Sequence, residues 1–391
     1  MKALFVHDHI FYKKEENYFS PGGLPKEAWS RYLDNVDELI VVSRGSNDEN
    51  KNGLILSSRE KIQFDLLYQV KGGLDYYKFK KDIVLKLKKY IQEVDFVIIR
   101  VPSTIGFFAY EICKKLNKPF VTEVVGCAWD SSWNYGSLPI KLQAPLGFMR
   151  MRKMVKNSFA TTYVTKYFLQ QRYPTNSNIV IHASNVQIPP TEDSVLDRHL
   201  NLLNREDNNK IYNIGIIGNL SVKYKGFDVA LKALKLLKEN YPNFKFHLVG
   251  GGDQIYVKDL IKENQLEDNC VIVGRLQAGE DIFNFLDQLD LYIHPSKQEG
   301  LPRSVIEAMS RACPVLGSSV AGIPELIEAK YLHKPGDVNK LYQDLSNLFS
   351  NDSELIEMSK NNYIKSKEYT VDILERRRSE FYKNIVEKIS K

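Results

Sequence analysis

Short apolar runs alternate with amphipathic stretches along the first half of the chain. Helical periodicity recurs between the runs, for example over residues 78–92 and 105–116. Buried strands that alternate with helices are typical of a parallel sheet covered on both faces. The pattern predicts strands at residues 2–8, 38–44, 64–70, 96–102, 119–126, 161–166 and 179–184.

A second alternating series follows a polar segment at residues 187–210, where Pro189-Pro190 predicts a linker. The end of the chain, from about residue 338 to residue 390, has a charged and helical pattern. The second series predicts strands at 212–218, 245–251, 271–276, 291–296 and 314–319, with helices at 226–239, 253–264, 280–288 and 302–312.

Two such series predict two Rossmann-like, doubly wound α/β domains. The length of 391 residues and the hydrophobic content of 43% suffice for two cores. We expect an N-terminal domain over residues 1–190, a C-terminal domain over 205–369, and a last helix at about 370–391 that packs back on the N-terminal domain. Ligands of such sheets bind at the carboxyl ends of the strands, so the cleft between the domains is the expected site.

Composition indicates where the protein works. No apolar run approaches the ~18 residues of a membrane span, and the N-terminal sequence lacks the apolar core of a signal peptide. We therefore expect a cytoplasmic protein. The four cysteines lie in or beside apolar runs, without a C-x-x-C pair or a histidine at metal-ligand spacing. This setting indicates reduced core residues at Cys113, Cys127, Cys270 and Cys313.

The net charge of +6 is concentrated in one segment. Residues 131–191 contain no Asp or Glu, and in this segment aromatic residues alternate with basic ones. The seven basic residues of this segment are Lys141, Arg150, Arg152, Lys153, Lys156, Lys166 and Arg172. Two interpretations stay open: a solvated face with a few buried rings, or a surface that binds an anionic membrane. No nucleic-acid reader motif occurs, so we expect no nucleic-acid partner.

Two loops at predicted strand ends could bind an anion. Gly22 and Gly23 precede a predicted helix, and glycine lets backbone amides approach a phosphate. Gly218 ends a predicted strand, and Lys223 and Lys225 follow in the loop. A lysine there could neutralise a diphosphate leaving group. A plain turn and solvated lysines are the alternative interpretations.

Two glutamates, Glu299 and Glu307, lie eight positions apart in the stretch QEGLPRSVIEAM. Pro302 suits the first turn of a helix. On that helix Glu307 points away from the apolar face, with Arg303 and Arg311 at four-residue spacing on either side. From spacing alone, a surface ion-pair row is the alternative to a binding site.

The wider stretch LYIHPSKQEGLPRSVIEAMSRACPVLGSSVAGIPELI resembles the donor-binding region of the retaining glycosyltransferases of family four. After the two glutamates, Pro314-Val315 and the turn at residues 322–325 follow in the family's order and spacing. The resemblance is good over residues 212–330 and looser over the first 190 residues. It implies the GT-B fold, with two Rossmann-like domains facing each other across a cleft. It also implies that catalysis needs neither a metal nor a cofactor.

The resemblance implies roles for individual residues. Gly22, Gly23 and Lys225 would contact the donor diphosphate, Glu307 would accept hydrogen bonds from the ribose hydroxyls, and Glu299 would face the transferred sugar. Glu299 and Lys225 are therefore the expected catalytic residues. The other expected substrate-binding residues are Asn219, Lys223, Gly274, Arg275, Leu276, His294, Gly300, Leu301 and Pro302.

The sequence departs from the family pattern at two places. Asn219 stands where many members have arginine, and Lys223 could supply the missing charge. The stretch EVVGCAWD has no histidine where many members carry one. The departing phosphate oxygen could itself take the proton of the acceptor, and no protein base would then be needed. Otherwise the activating group stays open among His7, His9, Glu123, Cys127 and Asp130.

The sequence thus predicts a retaining glycosyltransferase that uses a nucleotide sugar, expected to be a UDP-sugar. The expected acceptor is a glycan or a polyprenyl-linked glycan, as in surface polysaccharide or capsule biosynthesis at the inner face of the membrane. A UDP-sugar epimerase of related fold is one alternative, and it would convert a nucleotide sugar without any acceptor. A catalytically silent partner that binds a nucleotide sugar is the other.

Overall fold

The computed structural model of the chain divides into two compact units. The first contains Met1–Ala183 and Glu375–Lys391, and the second contains Ser184–Leu374. Residues 206–209, at the end of the predicted linker, lie outside the described part of the chain. The residues that the structure describes are 1–48, 51, 53–135, 138–205 and 210–391.

A mostly parallel sheet forms the centre of the first unit. Its described strands are β1 (Lys2–Lys14), β2 (Asn17–Ser20), β3 (Glu38–Ser46), β4 (Ile55–Leu56), β5 (Ile62–Phe64), β6 (Phe96–Val101), β7 (Phe120–Val124), β8 (Ala160–Tyr163) and β9 (Val180–His182). The parallel order runs β5-β3-β1-β6-β7-β8-β9. β2 pairs antiparallel with the end of β1 and with β4.

The helices of the first unit alternate with the strands as the pattern predicts, except that no helix lies between β3 and β5 among the described residues. They are α1 (Ser30–Leu33), α2 (Asp75–Lys78), α3 (Lys80–Glu93), α4 (Thr104–Leu116), α5 (Ala128–Tyr135), α6 (Leu138–Lys156) and α7 (Phe168–Arg172). Ala3, Leu4, Phe5 and Val6 of β1 are fully buried, as expected for a central strand covered on both faces.

One predicted strand of this unit is mostly wrong. The run at residues 64–70 was expected to be a strand, but β5 ends at Phe64 and only an isolated bridge joins Leu67 to Arg44. Leu66, Leu67 and Val70 are nevertheless buried. A short apolar run reports burial, and it does not separate a strand from a buried loop.

The second unit is built on a fully parallel sheet. Its described strands are β10 (Tyr212–Ile217), β11 (Phe244–Val249), β12 (Cys270–Gly274), β13 (Leu291–His294), β14 (Val315–Ser318) and β15 (Leu332–His333). They lie in the order β12-β11-β10-β13-β14-β15, which is the order of a Rossmann-like, doubly wound sheet. Strands are added on one side of β10 as far as β12, and from β13 onward they are added on its other side. The pair β10 and β13 therefore marks the switch point.

The helices of the second unit lie before, between and after these strands. They are α8 (Asp193–Leu203), α9 (Phe227–Lys238), α10 (Ile255–Glu263), α11 (Glu280–Leu286), α12 (Arg303–Ser310), α13 (Val338–Phe349), α14 (Asp352–Ser366) and α15 (Val371–Ile389), the last of which continues into the first unit. Within the first unit Phe381, Tyr382 and Ile385 of α15 belong to the same core as Phe5.

The predicted linker is wrong in its central part, because α8 occupies it. Val195, His199 and Leu203 are buried at four-residue spacing, which is the period of one helix face. Val195 packs with Ala312 and Tyr363. The Pro-Pro pair and the charged residues around α8 obscure this short stripe in the sequence.

Candidate functional site

The predicted site residues of the second unit lie at the carboxyl edge of its sheet. The loop after β10 contains Lys225, and the loop after β13 contains Glu299. β10 and β13 are neighbours in the sheet, at the switch point where ligands of doubly wound sheets bind. The fold therefore brings together two loops that are far apart in the sequence.

Glu299 is the centre of a buried charged cluster. Its Oε1 accepts a hydrogen bond from the Lys225 ammonium at 2.7 Å, and the same oxygen lies 2.9 Å from Nε2 of His294. The side chain of Glu299 is 11% exposed and that of His294 is 1% exposed. Burial alone would raise the pKa of Glu299, but Lys225 and His294 together lower that pKa to about 2. Glu299 is therefore ionised at neutral pH.

His294 is held neutral, with its proton directed at Glu299. Burial lowers the pKa of His294, and the nearby Lys225 charge lowers it further, against the opposing effect of Glu299. An ionised carboxylate only accepts hydrogen bonds, so Nε2 carries the proton. Nδ1 lies 3.3 Å from the Tyr292 hydroxyl, which is also 2.9 Å from Oγ of Ser304. This chain of contacts fixes the ring orientation.

A glycine lets the two loops meet. Gly226 has φ +79°, and a Cβ there would lie 2.0 Å from the Pro295 carbonyl oxygen. Beside it, the backbone amide of Lys297 donates to the Tyr224 carbonyl at 2.7 Å. The short turn that carries Lys225 is thus fastened to the loop that carries Glu299.

Glu307 contrasts with Glu299. It lies half-buried on α12, and among the described residues its carboxylate has no hydrogen-bond or salt-bridge partner. Burial raises the pKa of Glu307, and the charge of Arg303 offsets part of that rise. Arg311 instead binds Asp287, with nitrogen–oxygen distances of 2.6 and 2.5 Å. The surface ion-pair row that spacing allowed is therefore not formed.

The other predicted donor-binding residues of this unit also follow strand ends, but they make separate contacts. Lys223 is exposed, and its ammonium lies 5.6 Å from the centre of the Tyr256 ring, away from Glu299. Oδ1 of Asn219 accepts from the amide and hydroxyl of Ser221 at 3.0 and 2.6 Å. Lys223 thus belongs to a different cluster from Lys225.

The remaining loops lie at the same edge of the sheet. β12 ends at Gly274, and Arg275 and Leu276 follow it. The Gly274 carbonyl accepts a hydrogen bond from the Gly250 amide at 2.8 Å. Before α12, Leu301 and Pro302 are buried. The Gly300 carbonyl accepts from the amide of Gly322, in the turn after β14, at 2.9 Å.

Gly22 and Gly23 lie in the first unit, after β2. Their amides point at Oγ of Ser20, at 3.3 and 3.2 Å, and the Ser20 hydroxyl lies 2.8 Å from Nε2 of His9. Since Ser20 accepts from the amides, its proton is available for His9. A role of these glycines in phosphate binding stays a prediction.

Three candidates for activating the acceptor have structural partners in the first unit. Glu123 is buried and accepts from Tyr32 and Tyr382 at 2.8 Å each, with Arg100 at 3.2 Å. The sulfur of Cys127 lies 3.1 Å from the Tyr173 hydroxyl. Asp130 pairs with Arg172 at 3.2 Å. The cysteines are free, and Cys113, Cys127 and Cys313 are buried, whereas Cys270 is half-buried.

Sequence reasoning missed the residues that orient His294. Tyr292 and His294 are two positions apart on β13, so their side chains lie on the same face of the sheet. That Tyr-x-His spacing was the available signal. Two further observations concern the described part of the chain alone: no cluster of three or more His, Cys, Asp or Glu is placed to hold a metal ion, and no helix there combines the length and apolar character needed to cross a membrane.

Comparisons with known proteins identify relatives of this chain. The family model described as "Glycosyl transferases group 1" matches residues 212–351, which include both glutamates. Protein CapJ of Staphylococcus aureus is 37% identical over 350 residues, covering 87% of this chain and 84% of CapJ. The amylovoran biosynthesis glycosyltransferase AmsK of Erwinia amylovora is 33% identical over 142 residues, covering 34% of this chain and 35% of AmsK.

Solved structures extend the likeness to the whole chain. The structure of Anabaena Alr3699/HepE in complex with UDP and glucose aligns with a TM-score of 0.65 at 17% identity, covering 100% of both chains. At this identity the likeness concerns the fold alone. It confirms the predicted α/β fold class, GT-B.

Proposed function

The chain belongs to the group 1 glycosyltransferase family, and we propose that it transfers a sugar from a UDP-sugar to a glycan acceptor with retention of the anomeric configuration. The proposed acceptor is a glycan carried on a polyprenyl lipid, in the biosynthesis of a surface polysaccharide. The relative AmsK, named for amylovoran biosynthesis, supports the polysaccharide. HepE, solved with UDP and glucose, supports the base of the donor.

The observation that carries the donor proposal is the state of Glu307. Glu307 is half-buried, and its carboxylate has no partner among the described residues. Burial therefore destabilises the charged form of this carboxylate. Two adjacent hydroxyls of a ribose would supply the missing hydrogen bonds. Glu307 follows the switch point, where a nucleotide is expected in such a sheet.

Lys225 would supply charge to the diphosphate. Its ammonium already lies 2.7 Å from Glu299, so the lysine is fixed at the carboxyl edge of the sheet before any donor arrives. A preorganised cation stabilises the negative charge that develops when the bond between the sugar and the diphosphate breaks. Backbone amides of Gly300 and Leu301 would add donors. A divalent metal is therefore not part of the proposal.

The proposed reaction breaks the bond between the anomeric carbon and the diphosphate oxygen, and UDP leaves. The acceptor hydroxyl forms its bond to the same face of the anomeric carbon. Its proton passes to the departing phosphate oxygen, so no protein base is required. Glu299 would bind hydroxyls of the transferred sugar. His294 orients Glu299, and the contact of His294 with Tyr292 holds the histidine ring in place.

Calorimetric titration with UDP, GDP and ADP tests the donor site. We expect UDP to bind the wild type and the Glu307→Gln variant to bind it about 10- to 100-fold more weakly, the effect of a hydrogen bond to a charged group. Glu263→Gln is the matched control, because Glu263 is exposed at the end of α10. Turnover of the UDP-sugar should persist in a metal chelator.

Four results would overturn parts of the proposal. If no nucleotide binds, or if Glu307→Gln binds UDP like the wild type, the donor site is wrong. Binding of GDP or ADP in place of UDP would contradict the base. Conversion of a UDP-sugar to its epimer without acceptor would contradict glycosyl transfer.

A further inference from the structure

The outward face of α6 is apolar, although it is exposed. Leu138, Leu142, Leu146 and Met149 recur at three- or four-residue spacing and therefore lie on one side of the helix. Their exposed fractions are 72%, 76%, 44% and 59%. The opposite side holds the helix to the unit through Ala144, Met151, Met154 and Val155, which are buried. α6 thus presents apolar side chains on both of its sides.

Basic residues surround this apolar row. Arg152, Lys153 and Lys156 are exposed and continue the outward face toward the end of α6, and Lys141 lies on its flank. Within the ranges that the structure describes, none of these four side chains forms a salt bridge. No acidic residue occurs between positions 131 and 191, so no carboxylate of this segment can neutralise them. The outward face therefore combines an exposed apolar row with unneutralised positive charge.

This combination favours one kind of partner. An acid-free basic surface would repel the same surface of a second copy of the chain, since like charges would meet. A bilayer that contains anionic lipids attracts the basic residues and takes up the apolar side chains at the boundary of headgroups and acyl chains. We propose that the outward face of α6 docks on an anionic lipid bilayer. The proposal depends on the proposed function only in that a lipid-linked acceptor makes such docking useful.

One flank of the same helix, between its outward and its buried side, borders a cavity. The cavity has a volume of about 350 Å³, and it is lined by Gln143, Leu146 and Arg150 of α6 together with Asp8 of β1 and Thr104, the first residue of α4. Arg150 lies over the ring of Phe107 at 4.9 Å. A docked α6 would bring this cavity, which has polar groups and apolar walls, next to the lipid surface. A lipid-linked glycan could reach it from there.

Co-sedimentation with vesicles tests the proposal on the full chain. We expect binding to vesicles of phosphatidylcholine with phosphatidylglycerol, little binding to phosphatidylcholine alone, and weaker binding as salt rises. In Lys153→Gln/Lys156→Gln each substitution should weaken the partition about fivefold. In Leu138→Ser/Leu142→Ser the partition should fall about tenfold or more.

Matched controls lie on α3 of the same unit. Leu85 has the same exposed fraction as Leu138, 72%, so Leu85→Ser removes an equally exposed leucine from another surface. Lys81→Gln/Lys88→Gln removes two exposed charges in the same way. Both controls should bind vesicles like the wild type. Urea unfolding reports whether each variant is folded. Calorimetric binding of UDP separates the two proposals: vesicle binding without UDP binding would contradict the donor site alone.

Other outcomes would overturn the docking proposal. These are equal binding to both vesicle types, or loss of binding in the α3 controls as large as in the α6 variants. Sedimentation velocity gives a further check. A dimer in solution that Leu138→Ser/Leu142→Ser dissociates would assign the outward face of α6 to a second copy of the chain instead.

Discussion

The ammonium of Lys225 and the carboxylate of Glu299 lie 2.7 Å apart although the two residues are 74 positions apart in the sequence. Each residue belongs to a loop that follows one of two neighbouring parallel strands, β10 and β13. The pair fixes a cation at the switch point of the sheet and keeps Glu299 ionised despite its burial. The same contact therefore bears on stability and, under the proposed function, on catalysis.

Replacement of Lys225 by methionine tests this double role. The substitution leaves Glu299 with His294 as its remaining partner in a largely buried setting, which should lower the free energy of unfolding by about 1–3 kcal/mol. It also removes the proposed cation of the diphosphate site, so turnover of the UDP-sugar should fall about 100-fold or more. Urea unfolding and steady-state kinetics measure the two effects.

Lys223→Met is the matched control for that substitution. Lys223 lies two residues away in the same short turn, but it is exposed and contacts the face of Tyr256. We expect a change in unfolding free energy within about 0.5 kcal/mol. If the two lysine variants lose equal stability, the pair with Glu299 does not stabilise the fold.

The ionisation of Glu299 predicts a specific pH dependence. Its pKa falls from 4.5 to about 2 on folding, so its contribution is complete above pH 4.5 and is lost as the pH falls toward 2. The shift corresponds to about 3 kcal/mol. The difference in unfolding free energy between wild type and Glu299→Gln should stay constant from about pH 8 to about pH 5, and it should shrink below that range.

The buried histidine gives the control for this measurement. Burial lowers the pKa of His294 below 6.5, so acidification below pH 6.5 also destabilises the folded state. Its effect would begin at higher pH than that of Glu299. A difference between wild type and Glu299→Gln that changes mainly between about pH 7 and about pH 6 would therefore contradict our assignment to Glu299.

The sequence predicted that the candidate residues of the second unit lie at strand ends, because each of their loops follows an apolar strand. Parallel strands place their carboxyl ends on one edge, so Asn219, Lys225, Gly274 and Glu299 had to share that edge. Which of them touch could not be predicted. The contact of Lys225 with Glu299 depends on Gly226 and on the tilt of a three-residue turn, and neither has a periodic signal.

The first unit was less predictable for the same physical reason. Its loop at residues 64–70 and its helix α6 both contain apolar residues whose burial depends on tertiary packing. In α6 the apolar residues lie on two opposite sides, so no single amphipathic stripe marks the helix. The charge of residues 131–191 was visible in the sequence, but the apolar row beside it required the structure.

Gly226 gives a test of the loop contact that does not alter any charge. In Gly226→Ala the new Cβ would meet the Pro295 carbonyl oxygen at 2.0 Å, in a backbone conformation with φ +79° that disfavours any side chain. Gly336→Ala is the matched control, since Gly336 has φ +85° and nothing within 4 Å of its Cβ position. The control should lose about 1–2 kcal/mol from the backbone conformation alone.

Gly226→Ala should therefore lose clearly more stability than its control, and it should also weaken UDP binding because Lys225 is displaced. Urea unfolding and calorimetry measure these losses. Equal destabilisation by the two substitutions, with unchanged UDP affinity, would mean that the loops tolerate separation and that Lys225 does not depend on this contact.

Tyr382 ties α15 to the core of the first unit, and its hydroxyl offers the last prediction. It donates to the buried carboxylate of Glu123 at 2.8 Å, alongside Tyr32 and Arg100. Tyr382→Phe removes one of three hydrogen bonds to a buried charge, so protection from hydrogen exchange in α15 should fall by about 1.5–3 kcal/mol.

Tyr342→Phe, which loses only an exposed contact with Asn240, should change protection by less than about 0.5 kcal/mol. UDP binding should be unchanged, because the donor residues tested by calorimetry belong to the other unit. A Tyr382→Phe variant with wild-type protection in α15 would show that packing of Phe381 and Ile385 holds this helix without the Glu123 contact.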